Sequence, residues 1–367
     1  MDNLRIFHID TSRTWRGGQR QVGYLMEELY THNISSHLIC QPGSNLSDFC
    51  RNKNLPHTEI RMKGEMDIHA AFKIMKLLKR ERANILHTHT AHALSIGLIS
   101  KLLHSTLSLI YTKRVAYPIR KNLFSMWKYQ NPYLDKIVCI SDYIKNSLIE
   151  QGITVKKLIT IPSGIFLPSD TILNKAEFKK KHHIPQDSFI IITIAALEKN
   201  KGYESLIEAA KSVIEKNNNI YFIALGRGKH ENELKQKVKA MHIAENFFFM
   251  GFQTDVNSFL KISDLFVLPS KEEGLGSSIL DAQAAGLPVI ASKTGGIPQI
   301  IQNGDTGILV PVDEPKSLAK QIMRLKKDDK LRHNLSQAAL ESIKQFSIEK
   351  TIDKYISLYK KLIMKFL

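Results

Sequence analysis

Two carboxylates and a pair of glycines carry the most chemistry in this chain. In "PSKEEGLGSSILDAQAAGLPVIASKTGG", Pro269 to Gly296, Glu273 and Asp281 stand on either side of a Gly-x-Gly turn, Gly274 to Gly276, at the start of an apolar helical stretch. Glycines permit positive φ and let a ligand approach the backbone closely. Ser277 and Ser278 suit the N-cap of the helix that follows. A helix start presents amides with no intrahelical acceptor and the positive end of the dipole, which favours an anion such as a diphosphate. Glu273 precedes that helix and Asp281 sits about one turn inside it, so at roughly 100° per residue both can address the same end. Each carboxylate can accept hydrogen bonds from sugar hydroxyls. Either acid alone suits an ordinary capped helix. The whole assembly predicts a ligand site.

Other polar residues fall at the ends of apolar runs. "IDTSRTWRGGQRQ" places Gly17-Gly18, flanked by Arg16 and Arg20, between a first strand and a first helix. Glycines there allow close approach of phosphates or of a reacting centre. The dinucleotide fingerprint Gly-x-Gly-x-x-Gly is absent at this place. "ILHTHTAH" clusters His87, His89 and His92 at a strand end. Alternation puts His87 and His89 on one side, with His89 preferred as the one facing a cleft; a polar strand end with satisfied histidines is the alternative. A metal is disfavoured because no acid or cysteine lies close by in sequence. "IYTKRVAYPIRKNLFSMWKY" ends a further strand in Lys113-Arg114, followed by Arg120. Arginines here suit phosphate or carboxylate. Phe124, Trp127 and Tyr129 then interleave with Lys121 and Lys128, an interface-like mixture; an ordinary surface loop and helix is the other reading.

The elements that must position these residues alternate. In the first half the strands are "RIFHI", "SHLIC", "TEIR", "NILHTH", "LSLIYT" and "KIVCIS", separated by stretches with apolar residues at three and four. "LITIPSGIFLPS" reads as a linker. The pattern restarts with "FIIITIAAL" and runs through five more strands before the helices "PKSLAKQIMRLKKD", "KLRHNLSQAALESIK" and "SIEKTIDKYISLYKKLIMKFL". Strands alternating with helices predict parallel sheets covered on both faces. Two such runs predict an α/β chain of two doubly wound, Rossmann-like domains, 1–165 and 166–345, with a terminal helix over 346–367. Parallel sheets bind ligands beyond the carboxyl ends of their strands, and facing domains would set those ends across one cleft.

Composition narrows the class. The chain is 43% hydrophobic and 24% charged, as ordinary globular proteins are. No apolar run is long enough to span a bilayer, and "LRIFHID" reads as a strand rather than a signal peptide. Cys40, Cys50 and Cys139 form neither a disulfide framework nor a zinc spacing, which favours a reducing, cytoplasmic setting. The net charge is +17 and uneven: residues 1–165 hold 23 Lys+Arg against 12 Asp+Glu, the remainder 29 against 23. A basic face suits nucleic acid, an anionic membrane or a phosphorylated substrate. No arginine-rich tail or finger spacing supports nucleic acid.

The Pro269–Gly296 stretch resembles the signature of family 4 glycosyltransferases of the GT-B fold. The matching pieces are Pro269-Ser270, Glu273, Gly274, Gly276, Asp281, Ala285-Gly286 with Pro288-Val289, and Gly295-Gly296. Asp281 replaces a second Glu. The likeness extends over nearly the whole chain and implies a terminal helix that crosses back to the N-terminal domain. It implies that Glu273 contacts the transferred sugar and that Asp281 binds the ribose of a nucleotide. It further implies that Gly274, Leu275, Gly276 and Ser277 offer backbone groups near sugar and diphosphate, and that the Gly17-Gly18 loop lies over the diphosphate. In "IAALEKNKGYESLIEAA", Lys201 and Gly202 match a second element, but Ala196 stands where an Arg is usual. Lys201 still supplies positive charge where a leaving group forms, with Lys199 or Arg227 as compensation. Lys113-Arg114 occupy a strand end where many relatives carry a functional His, which suggests an anionic acceptor.

The resemblance therefore implies a retaining transferase that moves a sugar from a nucleotide-diphosphate donor to a glycan or glycolipid hydroxyl. Glu273, Lys201 and His89 are its candidate catalytic residues. No cofactor or obligatory metal is expected. The expected setting is lipopolysaccharide or other surface-polysaccharide synthesis, in the cytoplasm or peripheral on the inner membrane. A nucleotide-sugar epimerase of the same fold, or a non-catalytic binding subunit, remains as an alternative.

Overall fold

The computed structural model describes residues 4–104, 106–119, 122–166 and 174–364. The chain divides into two compact units, Met1–Gly164 with Phe346–Leu367, and Ile165–Gln345. In the first, β1 (Arg5–Ile9), β2 (Ser35–Cys40), β3 (His57–Glu59), β4 (Ile85–Thr88), β5 (Ser108–Lys113), β6 (Lys136–Cys139) and β7 (Leu158–Thr160) form a parallel sheet in the order β3-β2-β1-β4-β5-β6-β7. The helices of its crossovers are α1 (Gly17–Thr31), α2 (Asn45–Asn52), α3 (Ile68–Arg80), α4 (Ala91–Leu102), α5 (Leu123–Gln130) and α6 (Asp142–Glu150). β4 and β5 are buried along their whole length, as expected of strands covered on both faces.

The second unit opens with α7 (Lys175–Lys181) and repeats the plan. Its strands are β8 (Phe189–Ile194), β9 (Ile220–Leu225), β10 (Phe247–Gly251), β11 (Leu265–Leu268), β12 (Val289–Ser292) and β13 (Ile308–Val310), in the order β10-β9-β8-β11-β12-β13. Between and after them lie α8 (Tyr203–Ile214), α9 (Glu231–Ala240), α10 (Val256–Ile262), α11 (Ser277–Ala284), α12 (Pro315–Lys327) and α13 (Asp329–Ser342). Each sheet therefore reverses direction once, between β1 and β4 and between β8 and β11. Those are the crevices where open α/β sheets hold ligands.

The last helix, α14 (Ile348–Ile363), belongs to the first unit. Ile348, Ile352, Tyr355, Leu358, Tyr359 and Leu362 form one stripe, packed with Leu25 and Leu29 of α1 and Ile6, Ile85, Ile110 and Val138 of the sheet. Each such side chain contributes about 1.5–3 kcal/mol by leaving water. Ser347 caps the helix through the Lys350 amide.

The linker begins later than its composition suggests. Leu158–Thr160 pairs with β6, Ile137 opposite Leu158 and Cys139 opposite Thr160. Three residues are too few to show a periodicity, so Pro162, Ser163 and Gly164 dominated the reading. The three cysteines are buried, which pushes the thiols up, Cys40 to about 11 and Cys50 and Cys139 to about 12. They hold no reactive thiolate at neutral pH. Among the described residues no helix is long and apolar enough to cross a membrane.

Candidate active site

The reversal point of the second sheet brings together residues far apart in sequence. Lys201 follows β8 and Glu273 follows β11, and Lys201 Nζ lies 2.7 Å from Glu273 Oε1. Ser270 Oγ donates to the same oxygen at 3.0 Å. The side chains keep 20% and 14% of their exposure. An ion pair at that depth is neither desolvated like a core pair nor screened like a surface one.

Backbone contacts hold the pair. Gly202 has φ +68, and a Cβ there would stand 1.8 Å from the Pro269 carbonyl oxygen. Gly295 has φ +54, and a Cβ there would stand 1.9 Å from the Glu273 carbonyl oxygen. The loops after β8 and β12 thus press on both flanks of the Glu273 loop, at a separation only glycine allows. The Lys271 amide donates to Asn200 O at 2.9 Å, and the Gly296 amide to Glu273 O at 3.2 Å.

Next to this pair α11 begins at Gly276, in the left-handed region at φ +87, with no side-chain cap. Gly274, Leu275 and Gly276 are buried, and Ser277 and Asp281 are half-buried. Asp281 lies four residues beyond Ser277, on its face, and helical side chains tilt toward the N-terminus. In the first unit α2 to α6 are capped by Ser44, Asp67, Thr90, Asn122 and Ser141. The helices α1, α8 and α11, which follow β1, β8 and β11, have no side-chain cap, nor do α9 and α12. The starts of α1, α8 and α11 suit an outside anion.

Arg227 is exposed, and its guanidinium lies against Gly251 at the end of β10. Its carbonyl accepts from the Leu197 amide at 3.2 Å, next to Ala196. The Arg227 backbone therefore lies beside the loop that lacks the usual Arg, while its guanidinium is at the end of β10.

The reversal point of the first sheet is different. His8 of β1 and His87 of β4 are register partners, and with His89 they form a buried cluster whose ligand nitrogens lie within 4.8 Å of one another. His8 was missed in the sequence reading. Its signal lies in "RIFHI", but only the strand order makes β1 the neighbour of β4. His92, by contrast, sits in the first turn of α4, outside the cluster.

His87 Nδ1 is 2.8 Å from Tyr359 Oη of α14, and His87 Nε2 is 2.6 Å from Thr112 Oγ1. His89 Nε2 is 3.0 Å from His8 Nδ1, and His89 Nδ1 is 3.4 Å from Arg114 Nη2. Burial is the main cause that lowers all three histidines, His8 to about 3. They are neutral. Three imidazoles can be a zinc set, yet both His87 nitrogens serve hydroxyls and a guanidinium adjoins His89. His87 thus bonds to Thr112 and Tyr359 and His89 to His8 and Arg114, with the His87 and His89 ring centroids 4.1 Å apart. His89 is buried within the cluster, not displayed.

Gly17 and Gly18 form the first turn of α1 rather than a loop before it. A Cβ on Gly18 would lie 3.3 Å from Arg114 Cδ, so Gly18, Arg114 and His89 meet. Arg16 is exposed at the N-cap. Asp10, at the end of β1, accepts from the Ser12 amide at 2.7 Å and Gln19 Nε2 at 3.1 Å, and burial raises its pKa. It too was missed, as a single acid with no local pattern.

Lys113 corrects an expectation. It is buried, donates to Tyr117 O at 2.9 Å and lies 5.9 Å from the Tyr129 ring centroid. Strand alternation turns it away from Arg114, so it braces the turn instead of displaying charge to an acceptor. Arg120 lies outside the described residues.

Two Rossmann-like units with these parallel sheets define the GT-B fold. The family described as "Glycosyltransferase Family 4" matches residues 15–167, and "Glycosyl transferases group 1" matches 174–342. The chain belongs to the family 4 glycosyltransferases. This membership sets aside the epimerase and the non-catalytic subunit.

The chain is 29% identical to the N-acetyl-alpha-D-glucosaminyl L-malate synthase of Bacillus anthracis, over 80% of this chain and 78% of that one. It is 28% identical to the UDP-Gal:alpha-D-GlcNAc-diphosphoundecaprenol alpha-1,3-galactosyltransferase of Escherichia coli, over 97% and 96%. The crystal structure of Anabaena Alr3699/HepE in complex with UDP-glucose superposes with a TM-score of 0.88 at 17% identity, covering 98% of this chain and 100% of that one.

Proposed function

We propose that this glycosyltransferase moves a sugar from a nucleotide-diphosphate donor, with retention of configuration, to a hydroxyl of an anionic glycan or glycolipid. One observation carries the reading: the Lys201–Glu273 ion pair of 2.7 Å beside the uncapped start of α11. A sugar diphosphate needs a carboxylate for hydroxyls and positive charge for phosphates, and these two groups supply them side by side.

Glu273 holds the transferred sugar. Lys201, Arg227 and the amides of Gly274, Leu275, Gly276 and Ser277 hold the diphosphate, and Asp281 holds the ribose. This positive charge takes the part a metal would otherwise play, so no obligatory metal is required. In a front-face route the leaving phosphate assists removal of the acceptor proton, and no enzymic base is needed.

In the first unit Arg114 and Arg16 are assigned to the acceptor's anionic group. The two relatives are named for malate and for a diphosphoundecaprenol glycan, both anionic. We assign this chain to surface-glycan synthesis, of lipopolysaccharide type or another, on a lipid-linked acceptor at the cytosolic face of the inner membrane.

A thermal-shift screen with UDP, GDP, ADP, CMP and their sugar conjugates tests the donor site. A ligand at ~100 times its dissociation constant stabilises the fold by about 2.7 kcal/mol. One nucleotide should raise the melting temperature, and Asp281→Ala should abolish the shift. No shift from any of them overturns the assignment.

A further inference from the structure

We propose that His8 is a positioning residue for acceptor binding: acting through His89, it holds the Arg114 guanidinium over the start of α1. The proton positions on these three side chains are dictated in turn. A guanidinium only donates, and it keeps its proton in a protein. Arg114 Nη2 lies 3.4 Å from His89 Nδ1, so that nitrogen must offer its lone pair. A neutral imidazole carries one N–H, which places it on His89 Nε2. His89 Nε2 lies 3.0 Å from His8 Nδ1, which must therefore accept. The proton of His8 is then on Nε2, a buried atom without a partner among the described residues. Any other placement sets two donors against each other or charges a ring that burial keeps neutral.

Strand order brings the three together. β4 lies between β1 and β5. Alternation puts His87 and His89 on one side of β4 and its extension, and Thr112 and Arg114 on one side of β5 and its extension. Thr112 meets His87 and, two residues on, Arg114 meets His89. His8 of β1 reaches His89 from the opposite flank of β4.

The guanidinium held in this way is placed to take an anion. Its stem lies against the first turn of α1, where a Cβ on Gly18 would stand 3.3 Å from Arg114 Cδ. Arg114 is half-buried and keeps part of its surface in solvent. Asp10 feels its charge but is bonded to the Ser12 amide and to Gln19. Arg114 forms no ion pair among the described residues. Holding a long side chain in one rotamer costs entropy, and a buried acceptor gives it a fixed anchor. Protonation of His89 would remove the lone pair and set charge against charge, which is why a neutral, buried ring suits the task. His89 acts here on Arg114 and not on a reacting atom.

The part in acceptor binding rests on the assignment of Arg114 to the acceptor's anionic group; the tautomers do not. Long-range proton–nitrogen NMR of the full chain, isotope-labelled at histidine, reads which ring nitrogen carries the proton. His8→Gln and His89→Asn identify the two signals by their loss. Both rings should be neutral and carry the proton on Nε2 at neutral pH. A proton on Nδ1 of His89, or a charged ring, overturns the proposal. L-malate and inorganic phosphate then serve as carboxylate and phosphate probes in calorimetry, counting only binding that Arg114→Leu abolishes. His8→Phe keeps a ring but removes the acceptor; it and His89→Leu should each weaken probe binding about tenfold, the loss expected when a charged group loses its hydrogen-bonded anchor. His89→Asn, whose Oδ1 takes the place of Nδ1, should stay within about twofold of wild type. The nucleotide-induced thermal shift should survive in all of them. Wild-type affinity in both His8→Phe and His89→Leu overturns the positioning role and leaves the anionic acceptor standing. Absence of Arg114-dependent binding of either probe removes the anionic acceptor, and with it the part in acceptor binding, whatever the tautomers.

Discussion

The two sheets reverse direction at equivalent places and put opposite chemistry there. Between β1 and β4 stand three buried, neutral imidazoles, His87 bonded to Thr112 and Tyr359 and His89 to His8. Between β8 and β11 stand an ammonium and a carboxylate, partly exposed and clasped by glycines. Depth explains the difference. α14 covers the first sheet's core with Tyr355 and Tyr359, and a charge under that cover would have to give up its hydration. Imidazoles can shed the proton and keep their hydrogen bonds. The second crevice keeps access to solvent, so a charged pair survives and can exchange partners with a ligand. One topology thus supports a buried neutral cluster or an ion-exchanging site, according to what roofs it.

Acid should break the comparison most strongly. The folded pKa values of His8, His87 and His89 lie below the ordinary 6.5, with His8 near 3. Their contribution is complete above pH 6.5. It is lost as the unfolded chain takes up protons that the fold refuses, down to the folded pKa values. Three such groups cost up to about 4 kcal/mol per pH unit. Both tryptophans, Trp15 and Trp127, lie in the first unit, so their fluorescence during urea unfolding reads that unit. His8→Gln should cut the slope by about a third. A midpoint independent of pH between 6.5 and 4.5 would mean that the imidazoles are charged in the fold.

Substitution at the second crevice should act on turnover and leave folding intact. Glu273→Gln should lower the transfer rate by roughly 10²–10³-fold, the usual cost of one stabilising group at a reacting centre, with an unchanged circular-dichroism spectrum. Wild-type turnover in a folded variant would sink the role given to Glu273.

The glycine clasp offers a smaller and sharper contrast. Gly295→Ala places its methyl on the Glu273 backbone and should cost about 1–3 kcal/mol, with weaker nucleotide-sugar binding. Gly286 also has positive φ, +77, but no atom within 4 Å of an added Cβ. Gly286→Ala should cost about 1–2 kcal/mol and spare binding. Equal effects in chemical denaturation and in binding would show that φ, not the contact, is what Gly295 supplies.

Much of this was legible before any coordinates. The two α/β runs, most strands and the long helices follow from local periodicity. Glu273, the Gly-x-Gly turn and Asp281 lie within a single strand–turn–helix unit, where spacing alone implies proximity. α2, α6, α7 and β7 escaped the reading because they are short, and α7 is mostly lysine outside Phe178. Lys113 was misjudged because a strand end shows the residue but not the face it takes.

By itself the sequence determined the fold class, the order of the elements and the residues able to form the second crevice. These depend on interactions a few residues long. Only the tertiary structure decided that Lys201 meets Glu273, that His8 completes the imidazole cluster and that Tyr359 reaches His87. Those pairs need strand order and register, which are settled when each sheet and the helices of its unit bury their apolar faces. No spacing along the chain encodes them, because the contact is made across strands that the chain itself keeps far apart.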